Sequence, residues 1–334
     1  QYFGKRVLLS IPVLLFGASI TFLVIRAGPL DPVSAILGPQ GDPQAYNTIR
    51  DQLGLDQPLW QQYIDYMINM FTFDLGESWV LQPDTSVYSL VLSYAPRTIW
   101  LGFWSVLIAI FIGIPLGFYA GLNPNTFSDY VASFGGIVWR AMPNFWLAVI
   151  LMSVLSQSEK FMLGFNWENW LYPVNVTGPP PLGNLTSVDG FIKAVKKIAP
   201  AAIVLGSASM GNEMRIGRTA VLETVNSNFI ETAKAKGVKP RSLVWKHIFR
   251  NALIPLVPII TGEAFILIGG SVLVETVFDI SGIGSLFFQA VKNGDMPLVG
   301  SLMFIFILLV VLINIMQDFL YTIIDPRVGY DGGA

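Results

Sequence analysis

The sequence predicts an all-α polytopic membrane protein: about six transmembrane helices, an ordered cytoplasmic helical loop and a long external segment after the first span. Three observations point there. Only 13% of the 334 residues are charged and 53% are hydrophobic, where a soluble domain carries about 25% charged residues. The mean hydropathy is +0.58. The apolar residues also gather into stretches of roughly 20, long enough to cross a hydrocarbon core of about 30 Å as a helix. Backbone groups in lipid have no water to bond, so helices are the form these stretches take.

The first stretch, 7–25, follows Lys5 and Arg6. It is longer than the apolar run of a secretory leader, and Arg26-Ala27-Gly28-Pro29 follows it without a small-x-small cleavage pattern, so it is expected to stay as the first span. Residues 28–95 form the external segment. Up to Tyr94 it holds eight acids against the single base Arg50, and its 55–64 stretch reads as a turn entering an amphipathic helix. Further spans are expected at 98–120, 130–156, 198–214, 253–277 and 298–324. The fourth is small rather than greasy (Ala199-Pro200-Ala201-Ala202, Gly206-Ser207-Ala208-Ser209), which suits a helix inside a bundle where backbones approach closely.

Basic residues set the orientation. The 215–250 segment carries eight Lys and Arg and is expected inside, which puts both termini in the cytoplasm. The 157–197 segment is expected as an external loop, although it carries Lys160, Lys193, Lys196 and Lys197; its length weakens their topological weight. Its Trp167, Trp170 and Tyr172 suit the membrane interface, or contact with substrate or a docking protein. The expected organisation is an N-terminal helix at 1–27, the external segment at 28–95 and a core at 96–334 that holds an ordered loop at 226–255.

Several function classes fall away. A net charge of −2 gives no basic surface for nucleic acid, the absence of cysteine excludes disulfides and thiolate metal sites, and the one histidine, His247, excludes a multi-histidine centre. No Gly-x-x-x-x-Gly-Lys-Ser/Thr stretch exists for ATP, and neither His-Glu-x-x-His nor Gly-x-Ser-x-Gly occurs, so no catalytic residue and no cofactor is assigned to this chain.

The 226–255 stretch is the most informative. Asn228 followed by Glu231 has the capping-box spacing, which predicts a helix starting near Phe229. Gly237 suits the left-handed position that ends a helix, and Pro240 the first turn of a second one running to about Asn251. This predicts a basic helix–turn–helix on the cytoplasmic face, more organised than a loop that only sets topology.

Glu231-Thr232-Ala233-Lys234-Ala235-Lys236-Gly237 matches E-x-A-x-A-x-G, and His247-Ile248-Phe249-Arg250-Asn251-Ala252 matches H-x-x-x-N-A. In both the segment resembles the EAA loop of ABC importer permeases of the dipeptide and oligopeptide class. Thr232 replaces the middle alanine, and the nearest proline is Pro255 rather than one near Arg250. Further likeness runs along nearly the whole chain: Leu30-Asp31-Pro32, Leu53-Gly54-Leu55-Asp56-Gln57-Pro58-Leu59, Asp74-Leu75-Gly76-Glu77-Ser78, Pro143-Asn144-Phe145-Trp146, Glu275-Thr276-Val277-Phe278 with Gly282-Ile283-Gly284, and Asp325-Pro326-Arg327. Ser281 stands where the family usually has proline. The order resembles the B-type permease of the binding-protein-dependent transport inner membrane component family.

That resemblance implies a transmembrane subunit of an ATP-driven importer in a prokaryotic plasma or inner membrane, forming half of a pore for peptides. Its implied partners are a second, C-type permease, two ATPase subunits that hold the ATP and Mg, and an external binding protein. It implies that Glu231, Ala233, Ala235, Gly237, His247 and Asn251 couple to an ATPase. Relatives of such permeases carry oligosaccharide, nickel or glutathione, so cargo stays open. An ion-coupled secondary transporter is the alternative class; it would need paired midplane acids, and Glu263 alone fits. Glu263 is expected to line the pore, to face a helix of the partner permease or to make a hydrogen bond between helices. Arg140, beside Trp139, is expected to pair with an acid on a neighbour, to contact the partner permease, or to reach the interface by snorkelling.

Overall fold

The computed structural model describes residues 2–28, 31–38, 42–257, 259, 262 and 271–324. The first helix, α1 (Tyr2–Ala27), contains the expected first span, with Pro12 inside it. Short helices α2 (Pro32–Leu37) and α3 (Pro43–Gln52) follow. Each begins at a proline behind a capping aspartate: Asp31 accepts from the Ser34 amide at 3.0 Å and Asp42 from the Gln44 amide at 3.3 Å. The expected amphipathic helix is α4 (Leu59–Thr72). A two-residue hairpin, β1 (Glu77–Ser78) and β2 (Thr85–Ser86), pairs Glu77 with Ser86 and Ser78 with Thr85.

Helix α5 (Val87–Leu122) is continuous but opens into a π turn at Ala109–Gly113. Pro115 has no N–H for the carbonyl four residues back, and the wider turn just before it absorbs the misfit. Helix α6 (Phe127–Ala141) and helix α7 (Asn144–Ser156) replace the single straight span expected at 130–156. They meet at 96°. Met142 lies between them in extended conformation because the ring of Pro143 excludes the helical region for the residue before it.

A one-turn helix, α8 (Ser158–Phe161), leads through an irregular stretch to α9 (Val188–Val225), which is 38 residues long. The fourth expected span is embedded in α9. Lys193, Lys196 and Lys197 therefore stand on its first turns, not in an external loop. Lys196 is buried, and its Nζ donates to the carbonyls of Glu168, Trp170 and Tyr172 at 2.9, 2.6 and 2.5 Å. Its ammonium also lies 5.8 Å from the Trp167 ring. The loop folds onto this charge, which is why a lysine is stable at a buried site.

Helices α10 (Asn228–Ala235) and α11 (240–252) form an elbow after α9. Then come α12 (Ser271–Val277), α13 (Ile283–Asn293) and α14 (Met296–Ile324). By length and composition, Arg6–Ala27, Val87–Leu122 and Met296–Leu320 can each cross a bilayer, and α6 with α7 adds a fourth if the bent pair is one span. Most of the fifth expected span, 253–277, lies outside the described residues.

The described residues of 1–96 and 282–315 form one compact unit and those of 97–281 and 316–334 a second. In the first unit, Ala18, Met70, Leu90, Leu286, Leu298 and Phe304 share a buried core. Asp295, fully buried, accepts from the Ser78 hydroxyl at 2.5 Å and from the amides of Trp79, Val80 and Leu81 at 3.1–3.2 Å. Four donors to one carboxylate tie the hairpin to the α13–α14 junction.

The second unit is organised around α9. Its small residues meet glycines on α5 and α6. A Cβ added at Gly117 would stand 2.4 Å from the Met214 carbonyl oxygen, and one at Gly211 would stand 2.9 Å from that of Gly136. Helix backbones are thus in direct contact, which the small-residue composition was expected to allow. Leu101, Ile198, Leu205, Val274, Phe278 and Ile280 fill the core beside this seam. Glu275 is fully buried and accepts from Thr98 Oγ1 at 2.7 Å.

Candidate coupling surface

The elbow is built locally. Helix α10 starts one residue before the expected position, behind Ser227, and no side-chain capping bond forms. The start has moved by one residue: Ser227 holds the cap position, with its hydroxyl donating to the Thr224 carbonyl at 2.5 Å, and Asn228 and Glu231 fall inside the helix, out of the capping-box register. Glu231 is left exposed. At the other end Gly237 takes φ = 74°. The Gly237 amide reaches the Lys234 carbonyl at 2.9 Å and the Val238 amide the Ala233 carbonyl at 3.2 Å. These two bonds make a Schellman turn, whose left-handed residue favours glycine.

Pro240 opens the second helix at its first position. From Leu243 to Ile248 the turn widens into a π segment before Phe249–Ala252 closes it as α-helix. The Asn251 side-chain amide donates to the His247 carbonyl at 2.6 Å and so supplies a bond to the backbone at the end of the wide turn. Segments of this kind recur at functional sites.

The elbow is seated on the ends of α5 and α9. Ile230, Leu243, Ile248 and Ala252 are buried with Ala220 and Val221 of α9, and Phe118 and Leu122 of α5 pack against them. Phe118, Trp245 and Phe249 add a ring cluster with centroids 5.1–6.0 Å apart. Apolar burial therefore fixes both short helices to the end of the bundle.

The six residues singled out in this segment divide by face. Glu231, Ala235 and Gly237 are exposed; Ala233 and His247 are half-buried; Asn251 is exposed but bonded to its own helix. Ala233 packs inward with Val238 against the seating cluster. Phe229 and Trp245 are 46% and 57% exposed and share the outer surface. Their apolar exposure is the signal that motif matching alone passes over. Lys234, Lys236, Lys239, Arg241, Lys246 and Arg250 are all exposed, and between residues 228 and 252 Glu231 is the one acid. The arrangement holds no set of reacting groups. It offers a rigid, basic surface with a small-residue patch and two exposed rings.

Arg140 ends α6, and its Nη1 donates to Asn212 Oδ1 at 2.7 Å, an amide rather than the acid considered from sequence. Glu263 lies outside the described residues. A pair not expected from sequence joins α6 to α9: the Arg218 guanidinium grips the carboxylate of Asp129 through Nε and, at 2.7 Å, Nη2. Among the described residues no group of three or more His, Cys, Asp or Glu gathers as a metal site.

A family model described as binding-protein-dependent transport system inner membrane component matches residues 113–330, and its N-terminal counterpart matches residues 1–102. The chain is 34% identical over 332 residues to a dipeptide transport system permease protein of Alkalihalophilus pseudofirmus, covering 98% of this chain and 99% of the relative. It is 33% identical over 329 residues to an oligopeptide transport system permease protein of Bacillus subtilis, covering 98% and 99%. A dipeptide transport system permease protein of Escherichia coli is 28% identical over 345 residues, covering 98% of each.

Proposed function

Because the chain belongs to the binding-protein-dependent transport system inner membrane component family, we propose that it is a permease subunit of an ATP-driven importer that forms half of the path for di- and oligopeptides. An external binding protein delivers the cargo, a second homologous permease completes the pore, and two ATPase subunits hold ATP and Mg. The chain itself binds no cofactor in this reading, and both termini are cytoplasmic. The names of relatives matched along nearly their full length support peptides as cargo.

The observation that carries the reading is the seated elbow. A surface that must be pushed by a partner has to be exposed on one side and fixed on the other. The elbow has its bases, Glu231 and Ala235 outside and Ile230, Leu243 and Ile248 inside. The small side chains at Ala235 and Gly237 admit a partner closely, and Glu231 is suited to a basic group on that partner. Closure of the ATPases around ATP then shifts the elbow and, through it, the ends of α5 and α9.

The test is reconstitution. The chain is purified from its native membrane with whatever accompanies it, placed in vesicles, and given peptide-loaded binding protein and ATP. ATP-dependent peptide uptake is expected, and Glu231→Arg or Ala235→Trp should uncouple hydrolysis from it. Uptake driven by an ion gradient with no ATPase companion, or full coupled uptake in both variants, would refute the proposal.

A further inference from the structure

We propose that the Asp129–Arg218 ion pair is the joint through which movement of the elbow reaches the bent helix pair α6–α7; this rests on the reading of the chain as an ATP-coupled permease. Asp129 is 2% exposed, in the first turn of α6. Its carboxylate accepts from Arg218 Nε, from Arg218 Nη2 at 2.7 Å, from the Asn125 amide at 2.9 Å and from Ser133 Oγ at 3.3 Å. Every neighbour aimed at it is a donor. A fork-shaped, two-bond grip on a carboxylate fixes angle as well as distance.

The position of Arg218 on α9 matters as much as its bond. Ala220 and Val221, in the same turn and the next, belong to the cluster that seats the elbow. Whatever displaces the elbow displaces this end of α9, and Arg218 with it. Helix α6 is held to α9 at two further levels, by the backbone approach of Gly136 to Gly211 and by Arg140 on Asn212. The contacts run antiparallel, from Asp129 near one end of α6 to Arg140 near the other, so α6 follows α9 as one body. Its far end is the Met142–Pro143 break, where the chain turns by 96° into α7. Motion arriving along α6 is delivered there, where Met142 is extended and Pro143 has no N–H to carry the α6 bonding on into α7. A buried ion pair adds little net stability over an apolar pair of similar volume. Its merit here is register: one half of the joint is on the element that is pushed, the other on the element that must move.

The test uses the whole complex in proteoliposomes with loaded binding protein, reading hydrolysis and uptake separately. Asp129→Asn and Arg218→Gln are expected to keep hydrolysis within about twofold of wild type while peptide imported per ATP falls about tenfold, within the range of coupling factors between linked sites. Arg218→Lys, which keeps the charge and loses the fork, should fall between. This subunit has no cysteine, so Asp129→Cys with Arg218→Cys can be bridged by a short thiol cross-linker in partners freed of cysteine. Bridging should restore uptake per ATP although both charges are gone. An unchanged ratio in the variants overturns the joint. So does equal loss of hydrolysis and uptake in an assembled complex, or a bridge that restores nothing. Where Asp129→Asn does not assemble, Arg218→Lys and the bridged variant decide by the same ratio. Wild-type vesicles without ATP-dependent uptake would instead sink the permease reading, and the joint with it.

Discussion

Ile230→Ala should loosen the elbow without touching its outer face. Helix α10 has eight residues, fewer than the 12–15 or so that an isolated helix needs to persist in water, so its order comes from its seat. Ile230 is fully buried in that seat, among Ala220, Val221 and Leu243. The substitution removes about three methyl or methylene groups at about 0.8 kcal/mol each, and the residual cavity brings the loss to about 2–5 kcal/mol. At about 3 kcal/mol the seated-to-unseated ratio falls by roughly 100-fold. Hydrogen exchange followed by mass spectrometry reads this directly, because exchange of the α10 amides proceeds through local opening. Amides from Thr232 to Lys236 should lose about two decades of protection, while the exposed control Thr232→Ala leaves them near wild type. Uptake per ATP should fall in step. Wild-type protection in Ile230→Ala would show that the elbow is held by something other than this apolar seat. Lost protection with undiminished uptake would show that a rigid elbow is not needed.

Gly117→Ala should destabilise the complex by at least about 1–3 kcal/mol, since its Cβ would stand 2.4 Å from the Met214 oxygen; Gly135→Ala, with nothing within 4 Å of its Cβ, should be neutral or slightly stabilising in the same thermal-unfolding assay. Lys196→Met should remove the charged donor from three carbonyls; those of Glu168 and Trp170 keep the Val174 and Tyr172 amides, so the Tyr172 carbonyl bears the cost of about 1–3 kcal/mol, and the 166–176 loop should open to limited proteolysis. Lys193→Ala removes a surface pair with Asp189 and the approach of its ammonium to the Tyr172 ring at 5.3 Å, each worth about 1 kcal/mol or less, so cleavage there should stay well below that of Lys196→Met.

What was legible in the sequence was local. The glycine at 237 and the proline at 240 end one helix and start the next through backbone geometry that neighbours a few residues away complete, and the elbow has that form. Two runs of small residues between Ala199 and Ser209 announced close helix packing because the absence of bulky side chains is itself the signal. The misreadings arose where partners are distant. The capping box failed because Ser227 holds the cap position and Asn228 lies already inside the helix. Hydropathy could not see the 96° bend, since over a span-length window the apolar runs on either side outweigh Arg140, Pro143 and Asn144. Lys193, Lys196 and Lys197 looked like loop charges, and only the fold brings the Glu168, Trp170 and Tyr172 carbonyls to Lys196. Asp129 and Arg218 are 89 residues apart, and nothing near either residue marks the other.

These features converge on one element. At about 1.5 Å per residue, the 38 residues of α9 extend about 57 Å. One end is fastened to the 166–176 loop by a buried lysine, the middle is in backbone contact with α5 and α6, and the other end seats the elbow and carries Arg218. A seam of glycines against carbonyls leaves no side chains to bend out of the way, so displacement at one end is not absorbed locally. Packed interfaces of that kind switch between discrete arrangements rather than deform continuously. In the proposed function a push at the elbow would therefore reach α5 and α6 together, as a subunit needs if hydrolysis elsewhere is to open and close a path through its own helices.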